Sequence, residues 1–318
     1  MKPSVVIVGS FNHDLAFYLK AFPRPGESVL GEFRPGPGGK GFNQAVAATR
    51  AGAKTLFIGA VGRDAFGAEA RQFARTAKVK ALFIEKKKEP TGAAAITVDA
   101  AGQNHIVIAL GANLALHKQD VPLAPLRAAQ IVVCQGESDL RTVAHVLKTA
   151  RAAGAVTVLN PAPMSEEFDC GVLRHTEALI PNETEFVTLT ARCVRGRAGK
   201  LSVEALRRLA PDRLHALCRA LGVPVVIVTL GERGCFVSEP HLWTRIRAHD
   251  VESVDSTGAG DAFVGGFAAG LVRFRRNICE AAHFANAVAA LAVTLPGTAA
   301  GMPTAREITR FLKRRDHA

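Results

Sequence analysis

Two glycine-rich junctions carry residue types suited to chemistry. In DSTGAGDAF, residues 255–263, two carboxylates bracket a run of hydroxyl and glycine residues. Beyond it Ala262, Phe263, Gly266, Phe267, Gly270 and Leu271 recur at helical spacing, which predicts a helix starting within Thr257 to Gly260. The free amides of Gly258, Ala259 and Gly260 then converge at the positive end of that helix, where negative charge can develop, with Asp261 in the first turn. Phosphoryl transfer to an alcohol needs a positioned acceptor, charge stabilisation and a carboxylate to take the hydroxyl proton. This stretch offers the last two. The alternative is that Asp261 only favours the helix start, through a dipole interaction of about 0.3–1 kcal/mol.

The second junction, PGPGGKGFNQAVAATRAGA at 35–53, places Gly38, Gly39 and Gly41 ahead of a small-residue helix ending near Gly52. Such glycines let a backbone approach a ligand closely, and the helix start offers amide donors. Lys40 is either a ligand group or a solvated loop lysine. A Walker A loop is excluded, because Gly41 rather than Ser or Thr follows Lys40 and Arg34 stands where its first Gly belongs. A dinucleotide fingerprint is excluded as well, since VVIVGSFNHD has one Gly after its strand.

These junctions need a scaffold. Short β-branched runs (VVIVG, TLFIGAVG, QIVVCQGE, VTVLNPAP, PVVIVTLG) alternate with Ala/Leu-rich helical stretches, the pattern of a parallel sheet covered on both faces, which binds ligands at its carboxyl ends. Two segments break the rhythm, at about 12–37 and 91–110. The second reads as two alternating runs around an Asp99–Gly102 turn, so a small β flap built from both is expected, closing over the sheet edge to exclude water. An Arg-rich stretch, 192–213, reads as a surface excursion rather than a domain boundary. No internal repeat is evident.

A chain of 318 residues, 48% hydrophobic and 21% charged, is expected to form one large globular α/β domain. Its net charge of +12 is read as solvated faces on a protein that handles anionic small molecules. No nucleic-acid module accompanies the charge, and one Trp and one Tyr leave little stacking material. The six cysteines (Cys134, Cys170, Cys193, Cys218, Cys235, Cys279) show no CxxC or zinc spacing and are expected to be reduced thiols in the cytoplasm. No secretory signal and no membrane span is expected.

Taken together, GGKGFNQA and DSTGAGDAF resemble the two signatures of the ribokinase, or PfkB, family of carbohydrate kinases. GSFNHD, TGAAAI, GANLAL, CQGES, LNPAP, PNETE, VTLGERG and AVTLPG follow in matching order, so the resemblance runs from about Val5 to Leu312. It implies a ribokinase-like three-layer α/β/α fold over 1–318, with a mostly parallel central sheet and a small β-sheet lid. It also implies ATP-dependent transfer of the γ-phosphate to a primary hydroxyl of a small sugar, with Mg²⁺ and K⁺ as cofactors.

By the same resemblance Asp261 is the base and Gly258, Ala259 and Gly260 form the anion hole. Asn12, Asp14, Gly39, Lys40, Asn43 and Glu137 bind the sugar. Asn182 and Glu185 organise Mg²⁺ and the nucleotide phosphates, although PNETE also reads as a plain capped helix start. Thr229, Gly231, Glu232 and Gly234 contact the nucleotide, and Asn286 flanks adenine. Asp255, Thr257, Ala292, Leu295, Gly297 and Gly301 form the potassium site, with Gly301 standing where relatives commonly place Ser. Ribose is the expected acceptor. Phe42 either faces the core or faces the pocket, where it would stack on a nucleobase and favour a nucleoside kinase. Pairing of exposed flap edges implies a homodimer. A regulator that reuses a kinase fold to bind nucleic acid is the non-enzymatic alternative, and the intact Asp261 argues against it.

Overall fold

The structure is a computed structural model describing residues 2–101, 103–194 and 201–315. Gly102 of the expected flap turn and 195–200 of the Arg-rich stretch lie outside the described residues. The apolar runs form strands β1 (Val5–Val8), β4 (Thr55–Gly62), β5 (Lys80–Lys86), β8 (Ile131–Cys134), β9 (Val156–Leu159), β10 (Ala178–Leu179), β11 (Val225–Thr229), β12 (Cys235–Ser238) and β13 (Trp243–Ile246). They hydrogen-bond in the order β13-β12-β11-β10-β9-β8-β1-β4-β5. Pairing is parallel from β11 to β5, and the β11–β12 and β12–β13 pairings are antiparallel, so β12 is the reversed strand. Strands β1, β4, β8 and β9 are buried along their whole length, because helices cover both faces and leave no polar side.

Alternation along each strand splits the core in two. Val5, Ile7 and Phe57 pack toward the Lys40–Arg50, Ala259–Arg273 and Ile278–Ala292 helices. Val6, Val8 and Ile58 pack toward the Leu140–Ala152, Glu183–Cys193 and Pro211–Ala220 helices. The result is the expected three-layer α/β/α arrangement. A smaller sheet is built from β2 (Asn12–Tyr18), β3 (Glu32–Gly38), β6 (Gly92–Val98) and β7 (Asn104–Ala109), in the order β3-β2-β6-β7. Its β2 follows β1 directly, so the carboxyl end of a central strand runs straight into the lid. At the β6–β7 turn, Asp99 accepts hydrogen bonds from the amides of Ala101 and Gln103. The outer strand β7 is exposed throughout, with Val107 at 72%.

The glycines of FVGGFAAGL set helix spacing. A Cβ at Gly265 would lie 2.4 Å from the Gln44 carbonyl, and Cβ atoms at Gly266 and Gly270 would lie 2.9 Å from Val288 Cβ and Ala281 Cα. Only hydrogen at these positions lets the Ala259–Arg273 helix touch the backbone of its two neighbours.

One expectation needs correction. Cys170 and Cys193 form a disulfide, with Cα atoms 5.6 Å apart, so not all six cysteines are free thiols. The short helical turn Cys170–His175 and the far end of the Glu183–Cys193 helix meet across 23 residues, a proximity made by tertiary folding that no local spacing signals. Cys134, Cys218, Cys235 and Cys279 are free. Among the described residues, no helix is long and apolar enough to cross a membrane.

Gly265→Val forces a branched side chain into the contact with Gln44 and is expected to cost about 1–3 kcal/mol, read as a lowered urea midpoint at unchanged m. An unchanged midpoint would show that the two helices are not in backbone contact.

Candidate active site

The turn after Asp255 ends at Gly258, whose φ of 81° suits glycine, and the Ala259–Arg273 helix begins there without a side-chain cap. Asp261, 6% exposed, does not cap its own helix. Its Oδ2 accepts from Asn43 Nδ2 at 3.0 Å and its Oδ1 from Gln44 Nε2 at 2.9 Å, both on the Lys40–Arg50 helix. The dipole-only reading therefore leaves its position unexplained.

The glycines of GPGGKG act differently from the expectation that they admit a ligand. Gly39 has φ 87°, and its Cβ would lie 2.6 Å from the Asn12 amide; a Cβ at Gly41 would lie 2.6 Å from that of Ser10. They let the start of the Lys40–Arg50 helix sit on the β1–β2 connection. The carboxylate of Asp14 lies over Gly38, at 2.1 Å from where its Cβ would be. Glu137 completes the junction: its Oε2 accepts from Ser10 Oγ at 2.5 Å and from the Lys40 amide at 2.9 Å.

Two cavities meet here. The smaller, about 180 Å³, is lined by Lys40, Asn160, Asn182, Glu185, Thr229, Ser256 and the Gly258–Asp261 turn. The larger, about 580 Å³, lies between lid and core and is lined by Asp14, Ala16, Tyr18, Arg34, Asn104, Asp255, Ser256, Thr257, Gly297 and Thr298 among others. Ser256 lines both. Lys40 lines the smaller cavity beside Asn182 and Glu185. Asn12 is buried, its Oδ1 held by Asn113 Nδ2 at 2.9 Å.

Gly231, Glu232, Gly234, Asn286, Ala292, Leu295 and Gly301 line neither cavity. Gly231 and Gly234 shape the turn after β11 with positive φ, and Asn286 donates to the Arg247 carbonyl at 2.7 Å. Asp255 ties two loops, accepting from the amides of Thr257 and Gly297 at 2.9 Å each. At buried Gly301 a Cβ would lie 2.7 Å from the Gly297 carbonyl oxygen and 3.4 Å from those of Leu295 and Pro296. A serine there would displace this loop.

The charges are unbalanced. Lys40 is flanked by Asp261, Glu137 and Glu185; burial alone would lower its pKa, but these carboxylates outweigh it and hold the ammonium above its ordinary range. Asp14 is pushed up to about 7 by burial and by the nearby Glu137 and Asp261 carboxylates, against a hydrogen bond with Thr298. Burial also raises Glu137 and Glu185, opposed in both by Lys40 and by hydrogen bonds. Three carboxylates around one lysine, with Asp14 beside two of them, favour a further cation.

Asn182 and Glu185 form a capping box, with Glu185 N to Asn182 Oδ1 at 2.8 Å and Asn182 N to Glu185 Oε2 at 2.9 Å. The capped-start reading thus holds, and the same carboxylate lines the cavity. Among the described residues, no three His, Cys, Asp or Glu side chains converge to chelate a metal.

Gln44, Gln135, Asn160, Ser256 and Thr298 have site roles the sequence reading missed. Gln44 and Asn160 stand inside the quoted GGKGFNQA and LNPAP, but their contact spans 116 residues and only the fold reveals it. Phe42 is fully buried, edge-on to Phe11 and Phe57 at 5.3 and 5.5 Å between ring centres, so it offers no face to a nucleobase.

The geometry has close relatives. The chain is 33% identical over 320 residues to the ribokinase of Haemophilus influenzae, covering 98% of this chain and 99% of that one. The structure of ribokinase from Giardia lamblia superposes with a TM-score of 0.89 at 30% identity, covering 99% of this chain and 100% of that one. That of Arabidopsis thaliana ribokinase complexed with ribose and ATP gives 0.84 at 29%, covering 98% and 99%. Residues 2–305 match the profile of the pfkB family carbohydrate kinases, and the chain belongs to that family.

Proposed function

We propose that this chain transfers the γ-phosphate of ATP to a primary hydroxyl of D-ribose, giving ribose 5-phosphate. The observation that carries this reading is the placement of Asp261: a buried carboxylate, clamped by two amides, beside an amide-lined helix start and lining a small polar cavity that shares Ser256 with the lid-covered pocket. Similarity to ribokinases along the whole chain supports ribose over a nucleoside, and the burial of Phe42 removes the sequence-level argument for a base.

In this reading the sugar lies in the larger pocket, where Asp14, with the buried Asn12 next to it in the same strand, takes its hydroxyls, and its attacking hydroxyl reaches toward the smaller cavity, where Asp261 accepts the proton. The amides of Gly258, Ala259 and Gly260 receive the charge that develops on the transferred group. Lys40, at the smaller cavity, pairs with nucleotide phosphates, and Thr229 with the turn Gly231–Gly234 and Asn286 borders the rest of the nucleotide. Asn182 and Glu185 would hold Mg²⁺ through its waters; when bound, it neutralises phosphate charge. Asp255, Thr257 and the carbonyls near Leu295, Gly297 and Gly301 would hold K⁺, with Ala292 at the base of that loop. The whole chain acts as one kinase domain, and the β2, β3, β6, β7 sheet acts as its lid, keeping water from competing as acceptor. Phe17, Phe33, Ile106, Val107 and Ile108 leave that sheet with exposed apolar surface and an unpaired β7 edge, which supports pairing of two lids in a homodimer.

ADP release from ATP and Mg²⁺, with ribose, fructose, adenosine, inosine and guanosine side by side, is expected to respond to ribose and to fall when K⁺ is left out. Asp261→Asn is expected to lower kcat by about 10²–10⁴-fold. Turnover with a nucleoside alone, or an Asp261→Asn variant that keeps most of its rate, contradicts the reading.

Asp14 gives a stability prediction. Its folded value of about 7 exceeds its ordinary 3.8, so the native state holds this proton more tightly and stability falls as pH rises between those values. The urea midpoint of the parent minus that of Asp14→Asn should therefore decline across this window; parallel curves would mean that Asp14 is not in a carboxylate-rich, desolvated place.

A further inference from the structure

We propose that Gln44 is a positioning residue for Asp261, its own amide fixed by Gln135 and Asn160 so that the carboxylate can face only one way. Gln44 is fully buried and every polar atom of its side chain is used. Its Nε2 donates to Asp261 Oδ1 at 2.9 Å and to Asn160 Oδ1 at 3.2 Å, while its Oε1 accepts from Gln135 Nε2 at 2.6 Å.

The orientation of each amide follows from its neighbours. Asn160 Nδ2 donates to the Ile180 carbonyl at 2.9 Å, so Asn160 presents its oxygen to Gln44. A flipped Gln44 amide would then set its oxygen against two acceptors and its nitrogen against a donor. Gln135 Oε1 points at Gly9, 1.8 Å from where a Cβ there would stand, so the absence of that Cβ gives the Gln135 amide its room. That Oε1 has no hydrogen-bond partner, so the arrangement leaves one buried acceptor unsatisfied in order to present the amino group to Gln44.

The clamp has a reason to be neutral. Lys40 faces Asp261 from the same helix, and Asp14, Glu137 and Glu185 face it from the lid, the end of β8 and the Glu183–Cys193 helix. Lys40 is an alternative partner that would draw the carboxylate toward the smaller cavity, and a charged clamp would add to the imbalance. Two adjacent amides, Asn43 on Oδ2 and Gln44 on Oδ1, fix the carboxylate plane without changing the charge.

The proposal rests on the phosphotransfer reading for its kinetic test and on geometry alone for its crystallographic one. Gln44→Met keeps size and removes the amide. Its kcat is expected to fall about 100-fold, the scale of a misplaced reacting group, with KM for ATP and acceptor within about threefold of the parent. Gln135→Met, which frees the Gln44 amide to rotate, should lose kcat in the same sense by a smaller factor; it decides the matter if Gln44→Met does not fold. In crystals of either variant the Asp261 carboxylate is expected to leave its parental plane. Retained kcat, a raised KM at unchanged kcat, or an unmoved carboxylate in both variants would overturn the proposal. If the parent chain turns over no acceptor, the phosphotransfer reading fails and the carboxylate plane alone decides this one.

Discussion

The contact on which the site depends joins the first turns of two helices. Asn43 and Gln44 reach from the Lys40–Arg50 helix to both oxygens of Asp261 in the Ala259–Arg273 helix, across more than two hundred residues of chain. Side chains this short can meet only if the helices nearly touch, and Gly265, one turn beyond Asp261, removes the Cβ that would hold them apart. Gly39 and Gly41 do the same where the Lys40–Arg50 helix rests on the β1–β2 connection. Gly39, Gly41 and Gly265 thus bring backbones together, and the carboxylate is placed as a consequence.

Electrostatics follow from that placement. Burying Asp14, Glu137, Glu185 and Asp261 around Lys40 concentrates like charge where solvent cannot screen it, which pushes Asp14 toward neutral pH and holds Lys40 protonated. Such a site is better suited to ligands that arrive with cations than to bare anions. The lid continues from β1 without a break, so Asp14 and Asn12 sit on the strand that joins the central sheet to the lid, and in the proposed reaction any movement of the lid would carry them. Binding and exclusion of water are in this way coupled through one strand.

The scaffold was legible in the sequence because its signals are local. Apolar runs bounded by Gly, Asn or Pro can only be buried strands, and the 3.6-residue spacing after Gly260 marks a helix whose start must carry free amides. The position of Asp261 in the first turn was legible for the same reason, while local signals left its role open between base and helix-start carboxylate. What stayed hidden depends on long-range packing: Gln44 and Asn160 lie inside recognised motifs yet gain their meaning from each other. The Cys170–Cys193 bond joins cysteines whose spacing matches no local motif. Phe42 had two possible directions, and only the cluster with Phe11 and Phe57 chooses the core. Lys40 lines the smaller cavity, a direction that no local signal at the helix start announces.

The most direct test is a crystal structure of the chain with ribose, Mg²⁺ and a non-hydrolysable ATP analogue. The account predicts the primary hydroxyl of the sugar at hydrogen-bond distance, about 2.6–3.2 Å, from Asp261, and the terminal phosphate against the amides of Gly258, Ala259 and Gly260. A sugar bound with Asp261 beyond reach of that hydroxyl, or a terminal phosphate away from the Gly258 turn, would contradict it.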